Sequence, residues 1–215
     1  LVFNYYRPKS VIDLGCGVGH WLAVFQKNGV EKILGLDGDY MDKSQLGIPP
    51  EFFKSADLTK PVKETDSYDM AMSLEVGEHL PEHLAAQFVE SLTGLAPVVL
   101  FSAAVPYQGG SGHINEQWPE YWVGHFAKVG YRVIDPLRKQ IWNNPKVEWW
   151  YAQNIMFFVK ESEIANFPKL QEAQAITFPN QLSLLHPKSL TLYALKYAMW
   201  PLFKKKLKSL FIKSR

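Results

Sequence analysis

Cysteine is almost absent from this chain: its 215 residues hold one, Cys16. No intramolecular disulfide can form, and a reducing compartment is expected. No apolar run is long enough to span a bilayer, and no secretory signal is read at the start, so a cytoplasmic location is expected. Repeats and low-complexity stretches are also missing. Proline is absent between Pro8 and Pro49, which leaves that stretch free for regular structure. Acids stop at Glu172. What remains is 47% hydrophobic, enough for one core domain plus an appendage. The expected division is a domain over residues 1–165 and an extension over 166–215.

That first run, Val11-Ile12-Asp13-Leu14, leads directly into Gly15-Cys16-Gly17-Val18-Gly19. Trp21, Leu22, Val24 and Phe25 follow at helical spacing. Strand, glycine turn and helix form the ligand-binding start of a doubly wound α/β domain. Apolar runs predict strands near 10–14, 32–36, 51–54, 68–74, 97–102, 131–135 and 153–160. Helical patterns fall near 18–28, 82–94 and 116–128. The fold expected is therefore α/β, with a doubly wound, seven-stranded, mostly parallel sheet and a helical tail.

The turn differs from a dinucleotide fingerprint, which needs its third glycine at position 20, where this chain has His20. Asp13 also lies two residues before the first glycine, where it would repel a pyrophosphate and attract an amine. Asp37 ends the second strand and can accept both hydroxyls of a ribose. Asp57, followed by Leu58, ends a third and suits an adenine amino group. A ligand with an amine, a ribose and an adenine but no phosphate is S-adenosylmethionine.

At these residues the chain resembles the class I S-adenosylmethionine-dependent methyltransferases. Asp13 to Gly19 match the family's glycine motif, Gly35-Leu36-Asp37 its ribose motif and Asp57-Leu58 its adenine-side motif. Tyr68 to Glu75 match the fourth strand, whose end, Leu74 and Glu75, borders the methyl donor. The resemblance spans roughly residues 8–160. It implies a Rossmann-like fold with an antiparallel seventh strand, placed at Ile155 to Val159, and S-adenosylmethionine as cofactor.

After the fourth strand the chain reads Glu75-Val76-Gly77-Glu78-His79-Leu80-Pro81, and Pro81 is placed to open a helix. After the fifth, a glycine-rich loop carries His113 to the same sheet edge. Three readings stand. Glu75, Glu78, His79 and His113 could ligate magnesium or manganese, an arrangement resembling small-RNA 3′-end methyltransferases and some quinone-pathway O-methyltransferases. His113 or His79, beside Glu78, could instead act as general base. Or Glu75 touches the donor while Glu78 and His79 only tie the loop. His20, His83, His125 and His186 receive no site role.

Trp118, Tyr121, Trp122, Trp142, Trp149, Trp150 and Tyr151 crowd the segments expected to cover an acceptor. The run from Gly112 to Trp118 resembles methyltransferases encoded with glycan-assembly enzymes. A sugar hydroxyl of a surface glycan or its lipid-linked precursor is the expected acceptor. A small phenol, quinone or amine is the alternative, and a cofactor-binding domain without catalysis a third. Eight bases and no acids follow Glu172, leaving 15 bases against 21 acids before it. From Pro201 the tail reads as a basic amphipathic helix, suited to the inner face of an anionic membrane more than to nucleic acid.

Overall fold

The computed structural model describes residues 1–193. Seven strands form one sheet: β1 (Ser10–Leu14), β2 (Lys32–Asp37), β3 (Phe53–Ser55), β4 (Met70–Leu74), β5 (Val98–Ser102), β6 (Tyr131–Ile134) and β7 (Met156–Lys160). Their order is β3-β2-β1-β4-β5-β7-β6. Strands β3 to β5 across the sheet pair in parallel. β7 inserts antiparallel to both β5 and β6, as the family resemblance implied. The expected doubly wound, mostly parallel sheet is therefore present.

Among the described residues seven α-helices flank it: α1 (His20–Lys27), α2 (Ala85–Leu95), α3 (Pro119–Lys128), α4 (Arg138–Ile141), α5 (Trp149–Asn154), α6 (Pro168–Gln174) and α7 (Pro187–Tyr193). Alternate residues of the buried strands feed two cores. Ile12, Val99 and Phe158 face α2 and α3, where Phe88, Leu92 and Phe126 close the layer. Val11, Leu100 and Phe157 face α1 and α6, where Leu22, Phe25 and Leu170 do the same. Each fully buried Leu or Phe contributes about 2 kcal/mol.

Several boundaries differ from the expected ones for local reasons. β3 starts at Phe53 rather than 51 because Pro50 opens a 3-10 turn over Pro50–Phe52. Pro81 precedes a similar turn, Glu82–Leu84, before α2 begins. The seventh strand starts at Met156 rather than 153, since Trp149–Asn154 is helical. Residues 166–193, expected as part of an extension, pack on the same cores through Leu170, Ala173 and Leu182. The fully buried Arg138 ties them down, donating to the Leu182 and Gln153 carbonyls while pairing with Asp135. No described helix is long and apolar enough to cross a membrane. The basic segment from Pro201 lies outside the described residues.

The strand order reverses between β1 and β4, which open toward their carboxyl ends. In open α/β sheets that crevice is where ligands bind.

Candidate active site

A cleft of about 860 Å³ opens at those strand ends. Gly15, Gly17, Asp37, Asp57, Leu58, Glu75 and His79 are among its walls, which include no Lys or Arg. The charged side chains on the wall are carboxylates, which would repel a phosphate and attract a cation. Asp37 holds the turn together: its Oδ2 accepts from the Gly17 N–H at 2.7 Å and its Oδ1 from the Gly38 N–H at 2.7 Å. The Tyr40 hydroxyl donates to the same Oδ1 at 2.6 Å. Asp13 lies behind Asp37, 2% exposed. Burial, and then the Asp37 charge, hold its carboxyl well above the usual range. Asp57 is exposed, with its carboxyl lowered to about 2 by the Thr59 hydroxyl, Lys60 and the Thr59 N–H. Gly19 caps α1 and Leu74 is buried in β4, and neither is among the residues that line the cleft.

Gly15 couples this turn to the opposite wall. Its φ is +83°, and a Cβ there would lie 2.4 Å from the Val76 side chain. Val76 follows Glu75, one of two described non-glycine residues with positive φ (58°). Glu75 does not join the histidines. Its carboxylate accepts from Gln108 Nε2 at 2.8 Å and from Asn154 Nδ2 at 3.1 Å, on the β5 and β7 side. Gly77 is required by packing, since a Cβ would meet the Trp122 ring at 2.8 Å.

Glu78, His79 and His113 come together instead. One donor atom from each lies within 4.8 Å of the others. Glu78 is fully buried, and neither carboxylate oxygen has a hydrogen-bond partner. Burial, and then the Glu75 charge, raise its pKa to about 8. His113 Nε2 lies 3.9 Å from Glu78 Oε1, and the two imidazoles meet edge to face at 4.9 Å. A buried carboxyl without partners is costly unless something else occupies the site. The donor set of one carboxylate and two imidazoles suits a divalent transition metal.

A family model described as a methyltransferase domain matches residues 4–153. The chain belongs to that methyltransferase family. Ribosomal protein L11 methyltransferase of Shewanella piezotolerans is 29% identical over 148 residues, 64% of this chain and 44% of that protein. The chain thus spans less than half the length of the curated relatives it matches. The methyltransferase domain of bacterial CtHen1-C is 24% identical with a TM-score of 0.54, covering 74% of this chain and 92% of that one. Magnesium protoporphyrin IX methyltransferase (ChlM) of Synechocystis PCC 6803 with bound SAH gives 17%, 0.50, 70% and 73%. Both structures share the fold.

The acidic cleft, with no Lys or Arg among its lining residues, suits the cationic cofactor expected for this family, S-adenosylmethionine. Gly15, Gly17, Asp37 and Asp57, expected as cofactor contacts, all line that cleft. Of the four expected metal ligands, the structure gathers three and pulls Glu75 away. None of the seven expected acceptor-side aromatics is on the cleft wall. Trp122 is core, and Trp142 and Trp149 pack around the buried His186. Sequence reasoning passed over Gln108 and Asn154, and it also passed over Tyr40 and Glu116. Gln108 and Asn154 each border an expected loop or strand end, which is the only local signal they carry.

Proposed function

We propose that this methyltransferase methylates a hydroxyl oxygen beside Glu78, His79 and His113, and that the acceptor is a sugar hydroxyl. The observation that carries the reading is Glu78: a carboxylate fully buried, unpartnered, and raised to about 8. An oxygen acceptor must lose its proton as it is methylated, and a base matched to neutral pH is suited to take it. Glu78 can receive the proton at either Oε, and His113 Nε2, 3.9 Å away, is the next acceptor. When bound, the cofactor supplies the transferable methyl, and a divalent cation would make the hydroxyl more acidic. Glu78, His79 and His113 would hold that cation. Two nitrogen donors favour manganese over magnesium. Glu75, fixed by two amides, keeps negative charge on the cleft wall and helps orient the sulfonium end, so acceptor and methyl meet in line.

The test is transfer of labelled methyl from S-adenosylmethionine into fractionated cell extract, with chelator and then with added manganese. Label in a glycan fraction, lost on chelation and restored by manganese, supports the full reading. Label only in small molecules replaces the sugar with a phenol, quinone or amine. Indifference to chelator removes the cation and leaves Glu78 and His113 as the base. We further propose that the basic tail from Pro201 holds the enzyme on an anionic membrane face, which would place it beside a lipid-linked glycan precursor. Flotation with anionic liposomes, lost on deleting residues 201–215, is the expected result, and no binding at low salt would end that proposal.

A further inference from the structure

Glu116 is the hub of the loop that carries His113. Its Oε1 accepts from His113 Nδ1 at 2.8 Å and from the Gly109 N–H at 2.7 Å, and its Oε2 accepts from the Tyr107 N–H at 2.8 Å. Tyr107 is the other non-glycine residue with positive φ (71°). Such a conformation persists only where its surroundings over-determine it, and the Glu116 bond is one such constraint.

An ionised carboxylate can only accept hydrogen bonds. The proton of a neutral His113 must therefore sit on Nδ1, which leaves Nε2 as a free lone pair on the Glu78 side. Gly110 makes room for that orientation: a Cβ there would lie 2.1 Å from Nε2. His79 is set the same way by the same loop, with its Nδ1 donating to the Gly112 carbonyl at 3.2 Å. His113 thus commits Nδ1 to Glu116 and His79 commits Nδ1 to the Gly112 carbonyl, so each ring keeps Nε2 as its remaining lone pair.

We propose that Glu116 is a positioning residue: it fixes the His113 tautomer and braces the loop so that two Nε2 lone pairs converge with the Glu78 carboxylate. The inference rests on the reading of Glu78, His79 and His113 as the reacting group, and it adds what makes them a donor set. An outer carboxylate that orients a ligating or catalytic histidine typically changes metal affinity by about 10- to 100-fold when removed.

The experiment uses the full chain with 15N-labelled histidine, kept metal-free and above neutral pH. Long-range proton–nitrogen correlation shows which His113 nitrogen carries hydrogen, with His113→Gln supplying the assignment. The expected result is hydrogen on Nδ1 in the native protein and a mixed or Nε2-protonated ring in Glu116→Gln. Manganese titration of the same samples should show Kd raised about 10- to 100-fold in Glu116→Gln. Cofactor Kd should stay within about twofold, which certifies the fold. Glu116→Asp, which keeps an ionised acceptor, is expected to recover part of both readouts. Hydrogen on Nε2 in the native protein, or a tautomer indifferent to Glu116→Gln, would overturn the proposal. Failure of the native protein to bind manganese would sink the cation reading alone, because the tautomer is read without metal.

Discussion

The two walls of the cleft are built from different materials. On the wall formed by β1 and β2, Asp37 is fully engaged: two backbone N–H groups and the Tyr40 hydroxyl share its oxygens. In the loops after β4 and β5, Glu78 is buried behind the cleft lining, and its two carboxyl oxygens have no hydrogen-bond partner. The two described non-glycine residues with positive φ, Glu75 and Tyr107, both lie there too. The β1–β2 side is a hydrogen-bonded turn, whereas backbone strain and a buried, unbonded carboxyl collect in the loops after β4 and β5, the side on which the proposed chemistry falls. The contact between Gly15 and Val76 joins the walls, so each limits how far the other can move.

Truncating the reactive wall should produce the largest change. Glu78→Ala or His113→Ala is expected to lower methyl transfer by about 10²- to 10⁴-fold, with cofactor Kd within about threefold by calorimetry. If cofactor binding collapsed as well, the walls would not be separable.

Stability should show the same asymmetry. Glu78 binds its proton more tightly folded than unfolded, where a glutamate titrates near about 4.3. The stability this provides is therefore complete below the unfolded value and lost as pH rises through about 8. In metal-free protein the loss should be on the order of 5 kcal/mol, read from urea unfolding across that range. Glu78→Gln should flatten the slope, and an unchanged slope would mean another group is responsible.

Asp37→Ala removes the centre of the opposite wall. Cofactor Kd should rise by roughly 30-fold, the scale of one charged hydrogen bond of about 2 kcal/mol, while manganese affinity stays unchanged. Tyr40→Phe is the finest probe. If the cofactor ribose takes the place of the Tyr40 hydroxyl on Asp37 Oδ1, removing that hydroxyl should tighten cofactor binding by about 3- to 10-fold. Weaker binding would show that Tyr40 helps hold the cofactor instead.

How much of this was legible in the sequence follows the same division. Asp13, Gly15, Gly17 and Asp37 stand at the ends of apolar runs, so local pattern alone places them at one sheet edge. The Glu78, His79 and His113 grouping was also legible, because loops after adjacent parallel strands must share that edge. The fate of Glu75 was not. Asn154 reaches it only because β7 inserts antiparallel beside β5, a pairing no local pattern encodes. The start of β7 was misjudged for a related reason: Trp149–Asn154 is apolar enough to resemble strand, yet it is a helix carrying two buried amides. Glu116, three residues after His113, reads in sequence as an ordinary loop acid. Only the three bonds it accepts reveal what it does.

The measurement closest to the central claim is transfer of labelled methyl from S-adenosylmethionine by Glu78→Gln beside the native enzyme, with manganese supplied and cofactor binding checked in both. The account predicts native-like cofactor affinity with transfer reduced at least about 100-fold. Undiminished transfer by Glu78→Gln would contradict it and return the three residues to a purely structural part in the loop.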